Sequence, residues 1–320
     1  MLMRRFVVSM FSVGMMVLGA GAVSGQDYPN KPVRMITSAV GGGNDFVARL
    51  IAQGLTASLG QQVIVENRPG NAVIAVQTVS KAPPDGYTLL LHGNSVWTLP
   101  FLEDVPYDPV RDFSPITLTT TLPNILVVHP SLPVKSVKEL IALAKARPGA
   151  LNVGSGTVGS ATQVALVLFN AMAGVNIVAI PYKGAGPALL ALIAGEVQLY
   201  FSTGATGMPH VKLGRLRALA VTSAQPSALV PGLPTVAATV PGYESVSFNG
   251  LFAPVGTPAA IINRLNQETV RFLKRADSKE RLFNAGVEVV GNSPEEFAAA
   301  MRIDMAKVSK LIKDAGLRAK

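Results

Sequence analysis

Segments typical of β-strands and of α-helices alternate along this chain, and this order restricts the possible folds more than any other feature. Val33–Thr37 is an apolar run typical of a buried strand, residues 45–59 carry a helical pattern that ends at Gly60, and residues 63–66 again predict a strand. The same order returns between residues 151 and 221. Because parallel strands need long crossovers, usually helices, we expect mostly parallel α/β sheets with helices on both faces.

The length of the chain suits two such sheets, so we expect two lobes. Extended runs at residues 125–128 and 248–254 are the expected crossings between the lobes. The predicted division gives residues 26–126 to the first part of lobe 1 and residues 127–247 to lobe 2. Residues 248–320 then return the chain to lobe 1 and form its C-terminal helices.

Local signals place three helix starts. Ser136 is followed three positions later by Glu139, which is the pattern of a capping box. Ser293-Pro-Glu-Glu296 is expected to open the last long helix. Pro258 is expected at the first position of a helix, where its missing N–H is not needed.

The first 25 residues have the order of a secretory signal peptide. Arg4 and Arg5 precede an apolar stretch at residues 6–18, and a run of small residues follows. We expect cleavage between Ser24 and Asp27 and export of the mature chain, with an uncleaved N-terminal anchor as the alternative. Removal of this segment lowers the formal net charge from +9 to +7.

Composition argues against several classes of protein. The chain has no Cys, which excludes thiolate nucleophiles and Cys-ligated metals, and its three histidines (His92, His129 and His210) are too far apart in sequence for a local metal motif. Only the N-terminal apolar stretch approaches the roughly 20 residues of a membrane-spanning helix, so a polytopic membrane protein is excluded. Basic residues are scattered among acidic ones, which does not suit nucleic acid. We predict neither a metal nor a cofactor.

Two glycine-rich loops, each between a predicted strand and a predicted helix, are the candidate binding elements. They are Gly41-Gly42-Gly43-Asn44-Asp45 and Gly154-Ser155-Gly156-Thr157-Val158-Gly159-Ser160. Each places backbone N–H groups at a helix N-terminus, where the partial positive charge favours an anion. One loop from each lobe, facing across a cleft, could hold a carboxylate without any arginine. The alternative is that the glycines serve tight turns and that Asp45 and Ser160 only cap helices.

The second loop also spells the G-x-G-x-x-G pattern of dinucleotide-binding loops. That function needs an acidic residue about 20 positions further on, yet no Asp or Glu lies between Glu139 and Glu196. The motifs of nucleophile elbows, phosphate loops and zinc proteases are missing as well. A triad of Ser, His and an acid assembled by the fold stays open, and with it an exported α/β hydrolase as the alternative function.

A series of longer motifs, in order along the chain from Tyr28, points to one family. The motifs are Tyr28-Pro-x-Lys-Pro-Val-Arg34, Gly41-Gly-Gly-Asn-Asp45 with Ala48-Arg49, Val65-Glu-Asn-Arg-Pro-Gly70, Pro84-Asp-Gly-Tyr-Thr-Leu89, Tyr107-Asp-Pro with Asp112-Phe, the second glycine loop, Ile180-Pro-Tyr-Lys-Gly184, Leu216-Arg-Ala-Leu-Ala220, Gly232-Leu-Pro-Thr235 and Ala253-Pro-Val-Gly-Thr-Pro258. With these motifs the chain resembles the extracytoplasmic solute receptors of tripartite tricarboxylate transporters, the Bug receptors.

The resemblance implies a two-lobed periplasmic-binding-protein fold, type II-like, with two crossing strands as its hinge. It implies a monomeric receptor, not an enzyme, that closes on a small carboxylate-bearing or amino-acid-like solute and presents it to membrane permease subunits, or alternatively to a sensor kinase. In the family, main-chain amides, hydroxyls and bridging waters of the two loops hold the carboxylate. The corresponding residues here are Ala39, Val40, Gly41, Gly42, Gly43, Asn44, Asp45, Gly154, Ser155, Gly156, Thr157, Val158, Gly159 and Ser160.

The chain departs from the family pattern at five positions. Val40 replaces the usual Pro before the glycines, and Phe248 replaces the usual Trp before the return crossing; both changes are expected to reshape the cleft. Gln163, Val167 and Ala191 stand where His, Glu and Asp are usual, which removes ionisable groups.

Overall fold

The computed structural model describes residues 28–38, 40, 43–69, 72–155, 161–182 and 184–314. The predicted signal peptide therefore lies outside the described residues. So do eight of the fourteen candidate site residues, namely Ala39, Gly41, Gly42, Gly156, Thr157, Val158, Gly159 and Ser160. None of the helices in the described part of the chain combines the length and the hydropathy that crossing a bilayer requires.

Ten strands and ten α-helices alternate within the described residues. The strands are β1 Val33–Thr37, β2 Val63–Asn67, β3 Thr88–Gly93, β4 Phe113–Val128, β5 Asn152–Ser155, β6 Val178–Pro181, β7 Leu199–Thr203, β8 Arg217–Val221, β9 Val246–Pro254 and β10 Glu288–Val289. The helices are α1 Gly43–Leu59, α2 Ala72–Ser80, α3 Ser95–Thr98, α4 Val137–Ala146, α5 Ala161–Ala173, α6 Ala185–Ala194, α7 Gly204–Lys212, α8 Ala259–Leu273, α9 Ala276–Asn284 and α10 Pro294–Asp314.

The strands form one continuous sheet that serves both lobes. Its order is β2-β1-β3-β9-β4-β7-β5-β6, and β8 and β10 pair with β4 outside this path. The long strand β4 joins the two half-sheets, because residues 113–123 pair with β9 whereas residues 124–128 pair with β7 and β8. Residues 125–128, predicted as the crossing, therefore lie inside the second half-sheet, and the chain crosses just before them.

The direction of strand pairing separates the lobes from the hinge. Every described pair without β4 or β9 is parallel: β1 with β2 and β3, and β5 with β6 and β7. Every antiparallel pair includes β4 or β9, which run side by side in opposite directions between the lobes. The predicted two-lobed α/β architecture with two crossing strands is thus confirmed, and its antiparallel part is confined to those strands and their partners.

Helices cover both faces of each half-sheet, as the alternation predicts. Adjacent residues of a strand point to opposite faces, and Met35 and Ile36 accordingly belong to different cores. The first core includes residues of α1 and α8, and the second includes residues of α2, α3 and α10. In the second half-sheet, Leu126 packs with α4 and α5, whereas Val127 packs with α6 and α7.

The helix starts at Ser136 and Ser293 are both confirmed. At Ser136 the capping box is half formed, because the carboxylate of Glu139 accepts the N–H of Lys135 at 2.6 Å and not that of Ser136. Ser136 Oγ accepts the N–H of Glu139 at 3.2 Å, and Ser293 Oγ accepts the N–H of Glu296 at the same distance. The carboxylate of Glu296 accepts the N–H of Ser293 in return, at 2.9 Å. The prediction for Pro258 was wrong by one position, because Pro258 is the N-cap residue and α8 begins at Ala259.

Candidate functional site

The two glycine loops occupy equivalent positions in the two half-sheets. The first leaves the carboxyl end of β1 at Thr37 and enters α1 at Gly43; the second leaves β5 at Ser155 and enters α5 at Ala161. Ligands of open α/β sheets bind at this edge, where helix N-termini gather. In the first loop, Val40 is 73% exposed. Asn44 lies beside Gly93, the last residue of β3. A Cβ added to Gly93 would be 3.5 Å from Asn44 Oδ1.

A hydrogen-bond network fixes both ends of the first loop. Asn67, the last residue of β2, donates from Nδ2 to the carbonyl oxygen of Ser38 and to Asp45 Oδ1, both at 2.8 Å. Arg49, one turn further along α1, places Nε 3.0 Å from Asp45 Oδ1 and donates from Nη2 to Asn67 Oδ1 at 2.9 Å. Asp45 is 4% exposed, so its negative charge is buried next to a cation and an amide. Sequence patterns gave no sign of this network.

Packing, and not polar contacts, explains the glycine that opens the second loop. A Cβ on Gly154 would lie 3.2 Å from Ala188 Cβ, 3.3 Å from the carbonyl oxygen of Ala188 and 3.4 Å from Tyr200 Cδ2. The absence of a side chain at Gly154 thus lets α6 pack closely on β5 and β7. The next residue, Ser155, is 3% exposed, and its carbonyl oxygen accepts the N–H of Tyr182 at 2.8 Å.

A third strand-to-helix junction at this edge was missed from the sequence. Thr203 ends β7 and caps α7, accepting the N–H of Thr206 at 3.4 Å. It pairs in register with Asn124, at the crossing of β4. Asn124 is 2% exposed, and its Nδ2 has no hydrogen-bond partner among the described residues. The sequence did not predict helix α7 because it contains glycines and Pro209, and both residue types normally interrupt helices.

Among the described residues, none of the three histidines contacts both a hydroxyl nucleophile and a carboxylate, the arrangement of a hydrolase triad. His92 Nδ1 lies 3.2 Å from Ser95 Oγ, but its buried Nε2 has no partner among the described residues. Burial lowers the pKa of His92 to about 4, so the imidazole is neutral at pH 7. His129 contacts Ser131 at 2.7 Å, and the buried Nδ1 of His210 has no described partner. In the described part of the chain, none of these imidazoles forms a hydrogen bond or ion pair with a carboxylate.

The C-terminal half of α10 reaches from lobe 1 to lobe 2. Asp304 Oδ2 accepts the indole N–H of Trp97 at 2.7 Å, and Lys307 donates to the carbonyl oxygen of Glu244 at 2.7 Å. Burial raises the pKa of Asp304, although the Trp97 hydrogen bond and the charge of Lys307 oppose this. The pocket enclosed here beside Phe248 measures about 30 Å³, which is room for water and not for an organic acid.

Within the described residues, no group of three or more His, Asp and Glu side chains is arranged to hold a metal ion.

Comparison with known families identifies the chain. The model of the tripartite tricarboxylate transporter family receptor matches residues 47–317. The chain belongs to this receptor family. The resemblance found in the sequence motifs is thereby confirmed.

Three solved structures show the same fold. Rpa4515 of R. palustris, solved with adipate, is 37% identical and superposes with a TM-score of 0.82, covering 91% of this chain and 99% of that chain. The periplasmic binding protein BugD is 31% identical with a TM-score of 0.79, covering 92% and 100%. MatC of Rhodopseudomonas palustris, with bound malate, is 29% identical with a TM-score of 0.76, covering 89% and 100%. The fold is that of the two-lobed periplasmic binding proteins.

Proposed function

We propose that this receptor captures a small organic acid with two carboxylates in the cleft between its lobes and presents it to the permease subunits of a tripartite tricarboxylate transporter. The observation that carries the proposal is the pair of strand-to-helix loops, one in each half-sheet, at the carboxyl ends of β1 and β5. Two similar receptors were solved with dicarboxylates, adipate and malate. This class of ligand is therefore the first to test.

Backbone N–H groups of the two loops, residues 39–45 and 154–160, are the proposed carboxylate-binding groups. A helix N-terminus stabilises an anion through its free N–H groups and its partial positive charge. Such a site needs no arginine, and the two arginines nearest the first loop in sequence support this. Arg34 is paired with Glu66 at 2.6 Å, and Arg49 is paired with Asp45.

The side walls of the cleft are proposed to set ligand size. Phe248 is half-buried, with its ring centroid 6.4 Å from that of Trp97. A phenyl ring is smaller than the indole that the family resemblance implies at this position, and we propose that it leaves more room for the ligand on the cleft side of the ring, away from the water-sized pocket. We therefore expect acids as long as adipate to be accepted along with malate.

The hydrolase alternative receives no support from the histidines. A catalytic imidazole needs a nucleophile on one nitrogen and an orienting acid on the other. His92 has a serine on one side and no described partner on the other. Incubation of the protein with esters of dicarboxylic acids, followed by product analysis, tests this alternative directly, and sustained hydrolysis would revive it.

Calorimetry with malate and adipate tests the proposed function. We expect binding of at least one acid, a rise in melting temperature on saturation, and no binding of the corresponding uncharged diamide. Gly156→Val and Gly42→Val should each weaken binding about 100-fold, because a side chain would occupy the space that the anion needs. Wild-type affinity in a folded Gly156→Val protein would remove the second loop from the site.

Export with removal of the signal peptide is part of the same proposal. Arg4, Arg5 and the following apolar stretch support it. The intact mass of protein recovered from the periplasm should correspond to cleavage between Ser24 and Asp27. Recovery of the full-length chain from membranes would instead indicate an uncleaved anchor.

A further inference from the structure

We propose that Asn67 is a positioning residue that holds the first glycine loop in the shape that binds the ligand. This inference rests on the proposed function, because an ordered loop can raise affinity only if the loop binds the ligand. Asn67 itself stands at the end of β2, in register with Thr37 at the end of β1. Its side-chain amide donates to the residue before the loop, Ser38, and to Asp45 in the first turn of α1.

The amide of Asn67 joins the residue before the loop to the first turn after it. Nδ2 has two hydrogens, and it donates one to the carbonyl oxygen of Ser38 and one to Asp45 Oδ1, each at 2.8 Å. The six residues 39–44 therefore start and finish on one side-chain nitrogen. This arrangement fixes the distance between Ser38 and Asp45.

Arg49 orients the asparagine and compensates the charge of Asp45. Its Nη2 donates to Asn67 Oδ1 at 2.9 Å, which fixes the direction of the amide so that Nδ2 faces Ser38 and Asp45. Its Nε lies 3.0 Å from Asp45 Oδ1. The neighbouring arginine cannot substitute, because Arg68 pairs with Glu66 at 3.0 Å.

Order in this loop before binding should raise affinity. Fixing the backbone of each residue costs conformational entropy. A loop that became ordered only on contact with the ligand would subtract that cost from the binding free energy. Three glycines in a row increase the freedom to be lost. A clamp outside the ligand surface removes this cost without restricting which acid is bound.

The first experiment measures hydrogen exchange of residues 38–45 in ligand-free protein. Asn67→Asp removes both donated hydrogen bonds and sets a carboxylate against Asp45, so exchange in this segment should rise at least tenfold. Asn170→Asp is the matched control. Asn170 makes a similar clamp in lobe 2, donating to the carbonyl oxygen of Ile177 at 2.9 Å and accepting its N–H at 3.2 Å. Asn170→Asp should leave hydrogen exchange of residues 38–45 unchanged.

The second experiment measures malate and adipate affinity of the same variants by calorimetry. Asn67→Asp should bind about tenfold or more weakly, whereas Asn170→Asp should lose melting temperature but keep its affinity. Combining Asn67→Asp with Asp45→Asn exchanges donor and acceptor and keeps a carboxylate beside Arg49, so affinity should recover in part. The recovery is incomplete because Ser38 still lacks its donor.

The outcomes separate this proposal from the proposed function. Unchanged exchange of residues 38–45 in Asn67→Asp, or equal loss of affinity in Asn67→Asp and Asn170→Asp, would overturn the clamp. Absence of dicarboxylate binding by the wild-type protein would overturn the proposed function and leave the exchange result to decide about the clamp. If Asn67→Asp does not fold, Arg49→Gln is the milder variant. It leaves Asn67 in place and should still raise exchange of residues 38–45, and unchanged exchange would count against the clamp.

Discussion

The two glycine loops leave equivalent strand ends, Thr37 of β1 and Ser155 of β5, and the described residues beside them make different contacts. The first loop is bracketed by Asn67, Asp45 and Arg49, which form hydrogen bonds and an ion pair at 2.8–3.0 Å. The second begins at Gly154, whose backbone packs closely against Ala188 and Tyr200. A Cβ added to Gly154 would lie 3.2–3.4 Å from atoms of these two residues.

This difference shows that one sequence pattern can have two physical bases. Beside the first loop, polar side chains join Ser38 to Asp45. At the start of the second, Gly154 lets a helix approach the strand. The contrast extends to composition, because no Asp or Glu lies between Glu139 and Glu196, the stretch that contains the second loop. The contacts of Asp45 should therefore respond to charge and salt, and those of Gly154 to side-chain volume.

The largest effect is expected from added volume at the second loop. Gly154→Val should lower the free energy of unfolding by about 3 kcal/mol, because overpacking forces α6 away from β5. Chemical denaturation measures the change. Gly204→Val is the control, since a Cβ on Gly204 would have its nearest described neighbour at 4.0 Å, in Val230. Equal losses in both variants would contradict the packing explanation.

Mild acid should destabilise the first lobe through His92, which lies at the end of β3 beside the first loop. Its folded pKa of about 4 is below the usual value of 6.5, so the unfolded chain binds the proton more strongly. The stabilisation is complete above pH 6.5 and is lost as the pH falls towards 4. By pH 5 the loss should reach about 2 kcal/mol.

Denaturation of the wild type and of His92→Asn between pH 7 and pH 5 isolates this contribution. The difference in free energy of unfolding between the two proteins should shrink as the pH falls, since the substituted residue does not titrate. A constant difference across this range would show that His92 is not the titrating group.

A smaller effect is expected from removing the charge of Asp45. Asp45→Asn should cost about 1–2 kcal/mol of folding free energy, because it weakens the contact with Arg49 and places an amide opposite the Nδ2 of Asn67. Asp277→Asn is the control, because Asp277 pairs with Arg275 on an exposed surface, and its stability should not change measurably. If Asp45→Asn is as stable as the wild type, the ion pair does not hold the loop.

Local sequence patterns predicted the elements whose signals are themselves local. The helix N-caps at Ser136 and Ser293, the helix that ends before Gly60, and the strand-to-helix position of both glycine loops all depend on residues within one or two turns of each other. In such segments the spacing of apolar residues, the capping residues and the glycines all indicate the same helix or strand boundaries as the structure.

Elements that depend on distant partners were missed or misplaced. The first part of β4 contains Pro115 and Pro123 and a run of threonines, which gives no strand period, yet Thr119 is completely buried and donates to the carbonyl oxygen of Asn249 at 2.7 Å. Pro115 is tolerated because the register with β9 shifts beside it. The clamp at Asn67 joins residues 22 and 29 positions apart. Only the β1–β2 register brings them together, and single-sequence periodicity does not encode that register.

The smallest effect, a response to salt, should separate the two loops most directly. Raising NaCl from 0.1 M to 1 M shortens the Debye length from about 10 Å to about 3 Å. Arg49 is 53% exposed, so its pairing with Asp45 should weaken by only about 0.3–0.5 kcal/mol. Hydrogen exchange of residues 38–45 should then rise about twofold. Exchange of Val153 and Gly154 should stay constant, because Val153 is fully buried and Gly154 packs against Ala188 and Tyr200. An equal rise in both segments would mean that salt loosens the whole sheet edge and that the loops are not fixed by different interactions. A rise confined to residues 38–45, and abolished in Asp45→Asn, would assign the response to the ion pair.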